Sequence, residues 1–435
     1  MYILCVVFYM CVIHASSQEV TDLPTTTPTP AVCAVCICTD ITVDCAQKNF
    51  SESLTIDEWN ELSMRSFKEI DLSENSIDIL TIIPILPIEK LNISNNKLHY
   101  IEPWCFKNLE NLTSLDLSSN LLTELKKTVF WGLPMKNTIT QFSKMVYLNL
   151  AHNDLHMISK DAFSFMHSLR HLDLTRNPLK IIDQVAMAAL SELTFLKDLK
   201  MSGCGLEDLP IGMFRTLRRL EYLDMSDNYL TTLPSALSEP ANLKMLNLSR
   251  NPITSLSDKM PLSLSKLKEL HLCNTKVEVI KSGELGSLKS LEVLYLCNNR
   301  RLIEISEDAL TWLDDDENKM WPPITEVHLH NNNLTAINSA ILFRWDLLTD
   351  ITAEGNHYVC DCHAQWMVDV LVPLYTRLNR SVNGLICSRP PELRGLSFAL
   401  LHDSSKSLIC EETNLHEPDV AIVLGVMIGK KLKQE

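Results

Sequence analysis

The short stretch YVCDCHAQW, residues 358–366, places two cysteines and a histidine next to one another. Cys360, Cys362 and His363 offer two thiols and an imidazole, all of which are zinc ligands in proteins. The same cysteines could instead belong to disulfides, in which case their sulfurs would bind no metal. The rest of the sequence has to decide between a metal site and a disulfide-bonded segment.

The first 17 residues indicate which compartment these cysteines encounter. Residues 2–13 are apolar, and small and polar residues follow up to Ser17. This order resembles a secretory signal peptide at 1–17, although the usual basic start is absent, and a buried N-terminal helix is the alternative. Cleavage would remove Cys5 and Cys11 and leave twelve of the 14 cysteines in an oxidising compartment, where disulfides form.

Composition limits the classes of partner. The chain has 39 Lys and Arg against 54 Asp and Glu, a net charge of −15, and no long run of basic residues. We therefore expect no nucleic-acid partner, because that affinity depends on cationic contacts to phosphates. Neither GxGxxG nor GxxxxGK[ST] occurs, so no nucleotide-binding loop is expected.

Thr and Pro dominate residues 18–32, which predicts an extended spacer.

From residue 63 to 357 the chain repeats the pattern LxxLxLxxNxL about every 24 residues. The segments LTSLDLSSNLL at 112–122 and LEYLDMSDNYL at 220–230 are two of twelve copies. The LxL unit alternates inward and outward residues and predicts a short strand. One copy cannot bury its leucines alone, so stacked copies must share one continuous core. The ninth positions of the copies are Asn75, Asn96, Asn120, Asn153, Asn177, Cys204, Asn228, Asn251, Thr275, Asn299, Asn332 and Asn356.

The asparagine at the ninth position is expected to turn inward, where its amide can hydrogen-bond backbone groups of neighbouring turns. Cys204 and Thr275 take this position in two copies as small, weakly polar residues. Phe106, Phe130 and Phe163 recur at matching offsets between strands. They are interpreted as an aromatic core stack on the convex side and not as a cofactor site.

The repeats and the cysteines that flank them resemble the extracellular leucine-rich repeat proteins, whose cysteine-rich caps close both ends of the solenoid. The resemblance covers about residues 33–412 and includes CAVCICTDITVDC at 33–45 and CSRPPELRGL at 387–396. It implies an α/β fold, a right-handed leucine-rich repeat horseshoe with a parallel sheet on its concave face. The implied divisions are an N-terminal cap at 33–62, repeats at 63–357 and a C-terminal cap at 358–412.

The family resemblance, and not the spacing, implies how the cap cysteines pair. This favours a disulfide-bonded cap over a zinc site for the stretch at 358–366, makes His363 a surface residue, and leaves no metal or cofactor expected. The implied pairs are Cys33–Cys38, Cys36–Cys45, Cys360–Cys387 and Cys362–Cys410.

Four cysteines lie between the caps. Cys105 and Cys204 occupy core positions and are expected to be buried free thiols. Cys273 and Cys297 occupy the same position in adjacent turns. Strands about 4.8 Å apart would allow a disulfide between them, and two reduced thiols are the alternative.

The third and fifth positions of each copy are predicted to point outward on the concave face, which repeat proteins use for binding. The fifth position is polar to acidic in the N-terminal half, at Asp71, Asn92, Asp116, Asn149 and Asp173. Farther along, tyrosine and histidine appear, and tyrosine suits protein interfaces. We hypothesise that these residues contact a protein ligand; solvated strand residues are the alternative. They are Tyr147, His171, Tyr222, Met245, His271, Tyr295 and His328.

Two copies carry about nine extra residues, at 131–144 and 312–323. Such excursions are predicted to be loops and are often functional. The acidic run at 314–317 fits no EF-hand spacing, so a solvated charge run is favoured over a calcium site. Sequons at 92 and 247 would place glycans over the concave face, unless they arise by accident of the repeat consensus. The six sequons are Asn49, Asn92, Asn111, Asn247, Asn333 and Asn379.

The segment 413–435 combines a linker, ten apolar residues at 420–429, and lysines. A ten-residue helix spans about 15 Å, half of a bilayer's hydrocarbon core of about 30 Å. It cannot cross a membrane, yet the order resembles the end of a single-pass cell-surface protein. The sequence therefore predicts a secreted or loosely membrane-associated chain.

These features favour an extracellular module that recognises a protein ligand, as the ectodomain of a cell-surface adhesion or receptor-type protein. Homophilic binding stays open. A secreted protein that organises extracellular matrix is the alternative. No catalysis is expected, because no Ser/His/Asp or Cys/His set has motif support and an open sheet offers no water-excluding pocket.

Overall fold

The computed structural model describes residues 30–126, 128–130, 144–256, 260–404 and 407–410. One 14-stranded sheet organises this part of the chain. Each of the twelve repeat copies contributes one strand, and these twelve pair in parallel. The strands are Ile37–Cys38, Thr42–Asp44, Glu69–Asp71, Lys90–Asn92, Ser114–Asp116, Tyr147–Asn149, His171–Asp173, Asp198–Lys200, Tyr222–Asp224, Met245–Asn247, Glu269–His271, Val293–Tyr295, Glu326–His328 and Asp350–Thr352.

The strands are aligned without a shift, so equivalent repeat positions lie side by side. Leu115 at the centre of its strand pairs with Leu91 on one side and Leu148 on the other. All three are buried. Because side chains alternate between the two faces of a strand, the third and fifth positions form two parallel columns on the opposite, concave face. The solenoid of about twelve turns predicted from the repeats is confirmed.

The ninth-position asparagines connect successive turns as expected. Asn120 Nδ2 donates to the carbonyl of Ile93 in the preceding turn at 3.0 Å and to Leu117 O at 3.1 Å. Its Oδ1 accepts a hydrogen bond from Leu98 N at 2.9 Å. Cys204 has only Sγ at this position, which lies 3.2 Å from Leu174 O. The buried amide thus pairs backbone groups that would otherwise have no partner inside the core.

The convex side is built from short strands, irregular turns and few helices. The Phe106 and Phe130 rings stack with centroids 5.8 Å apart, and Phe163 is buried.

The α-helices are α1 (Ile56–Ser63), α2 (Gln184–Ser191), α3 (Val372–Arg377) and α4 (Phe398–Asp403). The short paired strands are Ile79–Leu80 with Tyr100–Ile101, Glu124–Leu125 with Met157–Ile158, and Val279–Ile280 with Glu304–Ile305. Single-turn helices are Ala31–Ala34, Ser235–Ser238, Leu262–Lys266, Ser339–Ile341, Trp345–Leu347, Cys362–Ala364, Met367–Leu371 and Val382–Gly384.

Disulfide-bonded segments cover both ends of the sheet. At the start, the hairpin of Ile37–Cys38 and Thr42–Asp44 extends the sheet, and α1 buries Trp59 and Leu62 beside it. At the other end, Tyr358–Val359 pairs with Cys387–Arg389. The four cap pairs implied by the resemblance are all disulfides in the structure: Cys33–Cys38, Cys36–Cys45, Cys360–Cys387 and Cys362–Cys410.

The second long excursion is a β-hairpin, where the sequence predicted a loop. Trp312–Leu313 pairs antiparallel with Lys319–Met320, and the acidic run forms the turn. The first excursion lies outside the described residues at 131–143, as do the predicted signal peptide, most of the spacer and the tail at 413–435. Within the described ranges, no helix has both the length and the apolar character needed to cross a bilayer.

Candidate functional site

The seven residues predicted to bind a ligand lie on two neighbouring columns of the concave sheet. Tyr147, His171, Tyr222 and Met245 occupy the third-position column, in which Tyr147 pairs with His171 and Tyr222 with Met245. The other three follow one another in the fifth-position column. They are His271, Tyr295 and His328. We call these seven residues the concave strip.

The three rings of the fifth-position column form one continuous stack. His271 and Tyr295 have centroids 4.3 Å apart and planes inclined by 11°. Tyr295 and His328 repeat this geometry at 4.3 Å and 9°. Parallel strands about 4.8 Å apart impose the spacing, because each ring stands on the strand next to that of its neighbour. Aromatic side chains fixed in this way lose little further conformational freedom when a partner binds.

His328 is the most enclosed member of the strip, with 7% of its surface exposed. Its Nδ1 lies 3.1 Å from Thr352 Oγ1, which is also 2.7 Å from His330 Nδ1. Its buried Nε2 has no hydrogen-bond partner among the described residues, and Glu326 Oε2 lies 3.9 Å away. Burial lowers the pKa of His328 below its usual range, while Asp350 and Glu326 act in the opposite direction. A sequence pattern assigns a strand position to the concave face but not this degree of enclosure.

Tyrosines provide the accessible part of the strip. Tyr222 is 43% exposed and Tyr147 is 36% exposed. The Tyr147 ring lies 6.4 Å from that of His171, whose Nδ1 is 3.5 Å from Asp198 Oδ2. Around the stack, His271 Nε2 lies 2.6 Å from Glu269 Oε1. The strip therefore combines apolar ring faces with a carboxylate-bearing margin, as at protein interfaces.

The acidic column of the N-terminal half has a structural role that sequence reasoning missed. Asp116 Oδ1 accepts a hydrogen bond from Ser118 N at 2.9 Å, and its Oδ2 accepts one from Asn149 Nδ2 at 2.9 Å. Asn92 Nδ2 donates to Asp71 Oδ2 at 3.0 Å. The sequence does contain a signal for this role. An Asp or Asn side chain commonly accepts a hydrogen bond from the backbone amide two residues later, and these residues stand two positions before a turn. These side chains stabilise the ends of the strands and each other.

A fifth disulfide lies beside the ring stack. Cys273 and Cys297 are bonded, with Cα atoms 4.6 Å apart. Of the two alternatives, a disulfide or two reduced thiols, the structure therefore contains the disulfide. They stand two residues after His271 and Tyr295, and with them line an open depression of about 580 Å³. The bridge covalently joins the two turns that present these rings.

Comparison with known proteins agrees with this architecture. The leucine-rich repeat family model matches residues 87–135, 143–197, 196–253 and 241–300. The twelve parallel turns and the disulfides at both ends agree with this family match. The chain is a cysteine-capped leucine-rich repeat protein.

Two curated relatives of this leucine-rich repeat protein match it over part of their length. Transforming growth factor beta activator LRRC33 of Danio rerio is 29% identical over 210 residues, 48% of this chain and 28% of that protein. Lumican of Bos taurus is 31% identical over 201 residues, 45% of this chain and 53% of that protein. The matches thus span about half or less of each relative. A chain in the Drosophila Toll–Spatzle complex shares the fold, with a TM-score of 0.59 and 22% identity over 80% of this chain and 49% of that chain.

The stretch considered as a zinc site is part of the C-terminal cap of the leucine-rich repeat protein. The ligand atoms of Cys362, His363 and Cys410 lie within 4.8 Å of one another. Both sulfurs belong to one disulfide, however, and are not available as thiolates. The His363 side chain is 80% exposed and 3.4 Å from Asp361. The arrangement is that of a covalent cap.

The sequons of the leucine-rich repeat protein differ in their surroundings. Asn49 and Asn379 are exposed, whereas the other four are half-buried. Asn111 Oδ1 accepts a hydrogen bond from Lys144 Nζ at 2.6 Å. Asn247 lies on the concave face, where its Oδ1 accepts from Ser249 N at 3.0 Å. Glycosylation at all six positions stays a prediction.

Proposed function

We propose that this leucine-rich repeat protein is an extracellular binding module that recognises a protein ligand on its concave strip, as the ectodomain of a cell-surface adhesion or receptor-type protein. The observation that carries the proposal is the ordered aromatic surface of the strip. Three stacked rings and two exposed tyrosines occupy neighbouring columns of one rigid sheet. Aromatic residues held on a scaffold provide contact area at a low entropic cost.

The surroundings of the strip support a protein partner over a small molecule. The depression beside the rings is open, and it is lined largely by polar side chains such as Ser226, Asn247 and Asn274. Small-molecule sites are concave pockets that enclose most of their ligand. A broad, curved, partly polar face with aromatic anchors is the surface that repeat proteins offer to other proteins.

The disulfides support an extracellular setting. Five bridges are present among the described residues, at both caps and beside the strip. Such bridges persist in oxidising compartments and are rare in the cytosol. One relative, by its name, activates a transforming growth factor beta, which is consistent with a role in extracellular recognition.

The test is a binding screen of the purified chain against a panel of extracellular and cell-surface proteins, the chain itself included. Each hit is then measured with Tyr222→Ala and Tyr295→Ala. We expect each variant to weaken binding by about tenfold or more, as for a tyrosine at the centre of an interface. A hit that is this chain itself would identify homophilic binding.

Tyr229→Ala is the matched control. Tyr229 is 65% exposed, more than either strip tyrosine, and lies in the turn after the strand Tyr222–Asp224. It should leave affinity unchanged. Equal effects of all three variants, or no effect of Tyr222→Ala and Tyr295→Ala on any partner, would exclude the strip as the binding surface.

A further inference from the structure

A row of basic residues runs along one lateral edge of the solenoid, just before the strands of successive turns. These residues are fully or partly exposed in a chain whose net charge is −15. They border the concave strip but are not part of it, and they lie at the first residues of each repeat copy and in the turn preceding it. We call this set the basic ridge. Its members are Lys197, Arg218, Arg219, Lys244, Lys266, Lys268 and Lys289.

Backbone hydrogen bonds between turns bring these residues together. Glu221 N donates to Lys197 O at 2.9 Å, Lys244 N to Glu221 O at 2.7 Å, and Lys268 N to Lys244 O at 2.7 Å. Each turn contributes only one or two basic residues, about 24 positions apart, so the sequence contains no basic run. The ridge therefore exists only in the folded protein, because stacking of the turns brings these residues side by side.

Acidic neighbours neutralise only part of the ridge. Glu221 is shared between Lys197 at 3.6 Å and Lys244 at 2.9 Å. Glu292 pairs with Lys268 at 2.7 Å. These two glutamates pair with three of the seven basic residues, and the other four form no ion pair within the part of the chain that the structure describes. A cluster of unpaired cations on one surface attracts polyanions.

Arg218, Arg219 and Lys266 carry most of the unpaired charge. None of the three has a carboxylate within ion-pair distance among the residues that the structure describes. The Arg219 guanidinium lies 4.1 Å from the centre of the Phe195 ring, and Lys266 Nζ donates to Asn242 Oδ1 at 2.7 Å. Both contacts hold the side chain in place without cancelling its charge.

The ridge borders a groove rather than a flat surface. The groove has a volume of about 610 Å³. Six of the nine residues that line it are Lys or Arg, and one is acidic. A groove lined along its length by cations fits a linear chain that carries anions at regular intervals.

We propose that the basic ridge binds a sulfated polysaccharide of the glycosaminoglycan type. Such chains are linear, extracellular and rich in sulfate and carboxylate groups, and arginine and lysine clusters are the side chains that bind them. Arginine adds planar, multidentate hydrogen bonding to anionic oxygens. The oxidising compartment indicated by the disulfides is where such polysaccharides occur.

Single-stranded nucleic acid is the competing polyanion, and the ridge fits it less well. Its binding surfaces combine cationic grooves with aromatic side chains on which bases stack. None of the residues lining the groove is aromatic, and the nearby Phe195 ring is already covered by Arg219. The ridge offers charge without a stacking platform.

The experiment measures binding of the purified chain to immobilised heparin, with desulfated heparin and a single-stranded oligonucleotide of equal charge as competitors. The test variant is Arg218→Gln with Arg219→Gln and Lys266→Gln, which preserves the lysine–glutamate pairs. We expect about a tenfold or larger loss of affinity. The logarithm of the binding constant should also fall less steeply with the logarithm of salt concentration, the slope becoming smaller in magnitude by about 2, since each lost contact contributes roughly 0.7–0.9.

The matched control is Lys97→Gln with Lys160→Gln and Lys276→Gln, which removes the same charge from exposed positions elsewhere. It should keep at least most of the affinity. An equal loss in this control, undiminished binding to desulfated heparin, or tighter binding of the oligonucleotide would overturn the proposal. The single variants Arg218→Gln and Lys266→Gln, expected to give partial losses, decide the matter if the triple variant does not fold. Tyr222→Ala should bind heparin normally, which separates the ridge from the concave strip.

Discussion

The imidazole of His328 lies parallel to the phenol ring of Tyr295, with centroids 4.3 Å apart. On its other side, His328 Nδ1 is 3.1 Å from Thr352 Oγ1. The imidazole is thus held between a neighbouring ring and a hydroxyl in a nearly closed space. An added proton would place a charge where little water can solvate it, so the neutral imidazole is the form that this packing favours.

We predict that His328 makes the folded protein sensitive to mild acid. Its pKa is lowered in the folded state from the usual 6.5, with burial as the main cause. As pH falls through 6.5, the unfolded chain binds the proton before the folded chain does, so the free energy of unfolding decreases. His328→Gln does not titrate and should lose less stability between pH 7.5 and 5.5, measured as the shift of the urea midpoint.

The control for this prediction is His363→Gln, since the His363 side chain is 80% exposed. It should change the urea midpoint at pH 7.5 little, as expected for an exposed side chain. A constant difference in urea midpoint between wild type and His328→Gln at all pH values would show that the imidazole is not the acid-sensitive group.

We predict a marked loss of stability for Asn177→Ala. Asn177 is fully buried, and its Nδ2 donates to Leu150 O at 2.8 Å and Leu174 O at 3.0 Å, while Oδ1 accepts from Leu155 N at 3.0 Å. Each buried group left unpaired costs roughly 1–3 kcal/mol, so the free energy of unfolding should fall by about 3 kcal/mol or more. Chemical denaturation measures the change.

Cys204→Ala provides the comparison for the ninth-position asparagines, because Cys204 occupies the same repeat position as Asn177 in the next turn. Its Sγ makes one short contact, at 3.2 Å to Leu174 O. Loss of a buried atom of this kind should cost about 1 kcal/mol. Equal losses for the two variants would mean that side-chain volume, and not the hydrogen bonds of the amide, accounts for the contribution of the ninth position to the free energy of unfolding.

The repeating part of the fold could be predicted from the sequence, because every copy carries the same apolar and polar positions. The strands and the inward asparagines follow from that regularity, and the disulfides of the two caps follow from the family resemblance that it supports. Features that depend on contacts between side chains that do not recur in every copy could not be predicted in this way. The enclosure of His328 requires Tyr295 and Thr352 on neighbouring strands, and the basic ridge requires Lys197 and Lys244 on stacked turns.

We predict that the Cys273–Cys297 bridge stabilises the turns that present the ring stack. The two residues are 24 positions apart. Loss of a bridge that closes a loop of this length costs up to about 3.5 kcal/mol in the chain-entropy account. The double variant Cys273→Ala and Cys297→Ala should lower the urea midpoint accordingly, and Cys105→Ala, which removes a buried free thiol, serves as the control. Non-reducing peptide mapping that found both cysteines alkylated in the native protein would contradict the bridge.

The acidic turn of the hairpin depends on one carboxylate. Asp314 Oδ1 accepts hydrogen bonds from the backbone amides of Asp316 at 3.0 Å and Asn318 at 2.8 Å, and the hydrogen bond from Asn318 is the main cause that lowers the Asp314 pKa. Glu317 adopts a positive φ of 62° within this turn, a conformation that is uncommon for residues other than glycine.

We predict that Asp314→Ala loosens this turn without unfolding the solenoid. Hydrogen exchange of the Asp316 and Asn318 amides should accelerate several-fold, because both lose their acceptor, while amides of the concave sheet should be unaffected. Asp315→Ala removes a neighbouring carboxylate that accepts no hydrogen bond from the described residues, so it should leave both exchange rates unchanged. Equal acceleration in the two variants would show that the net charge of the run, and not the Asp314 hydrogen bonds, governs the hairpin, since removing either carboxylate changes that charge by the same amount.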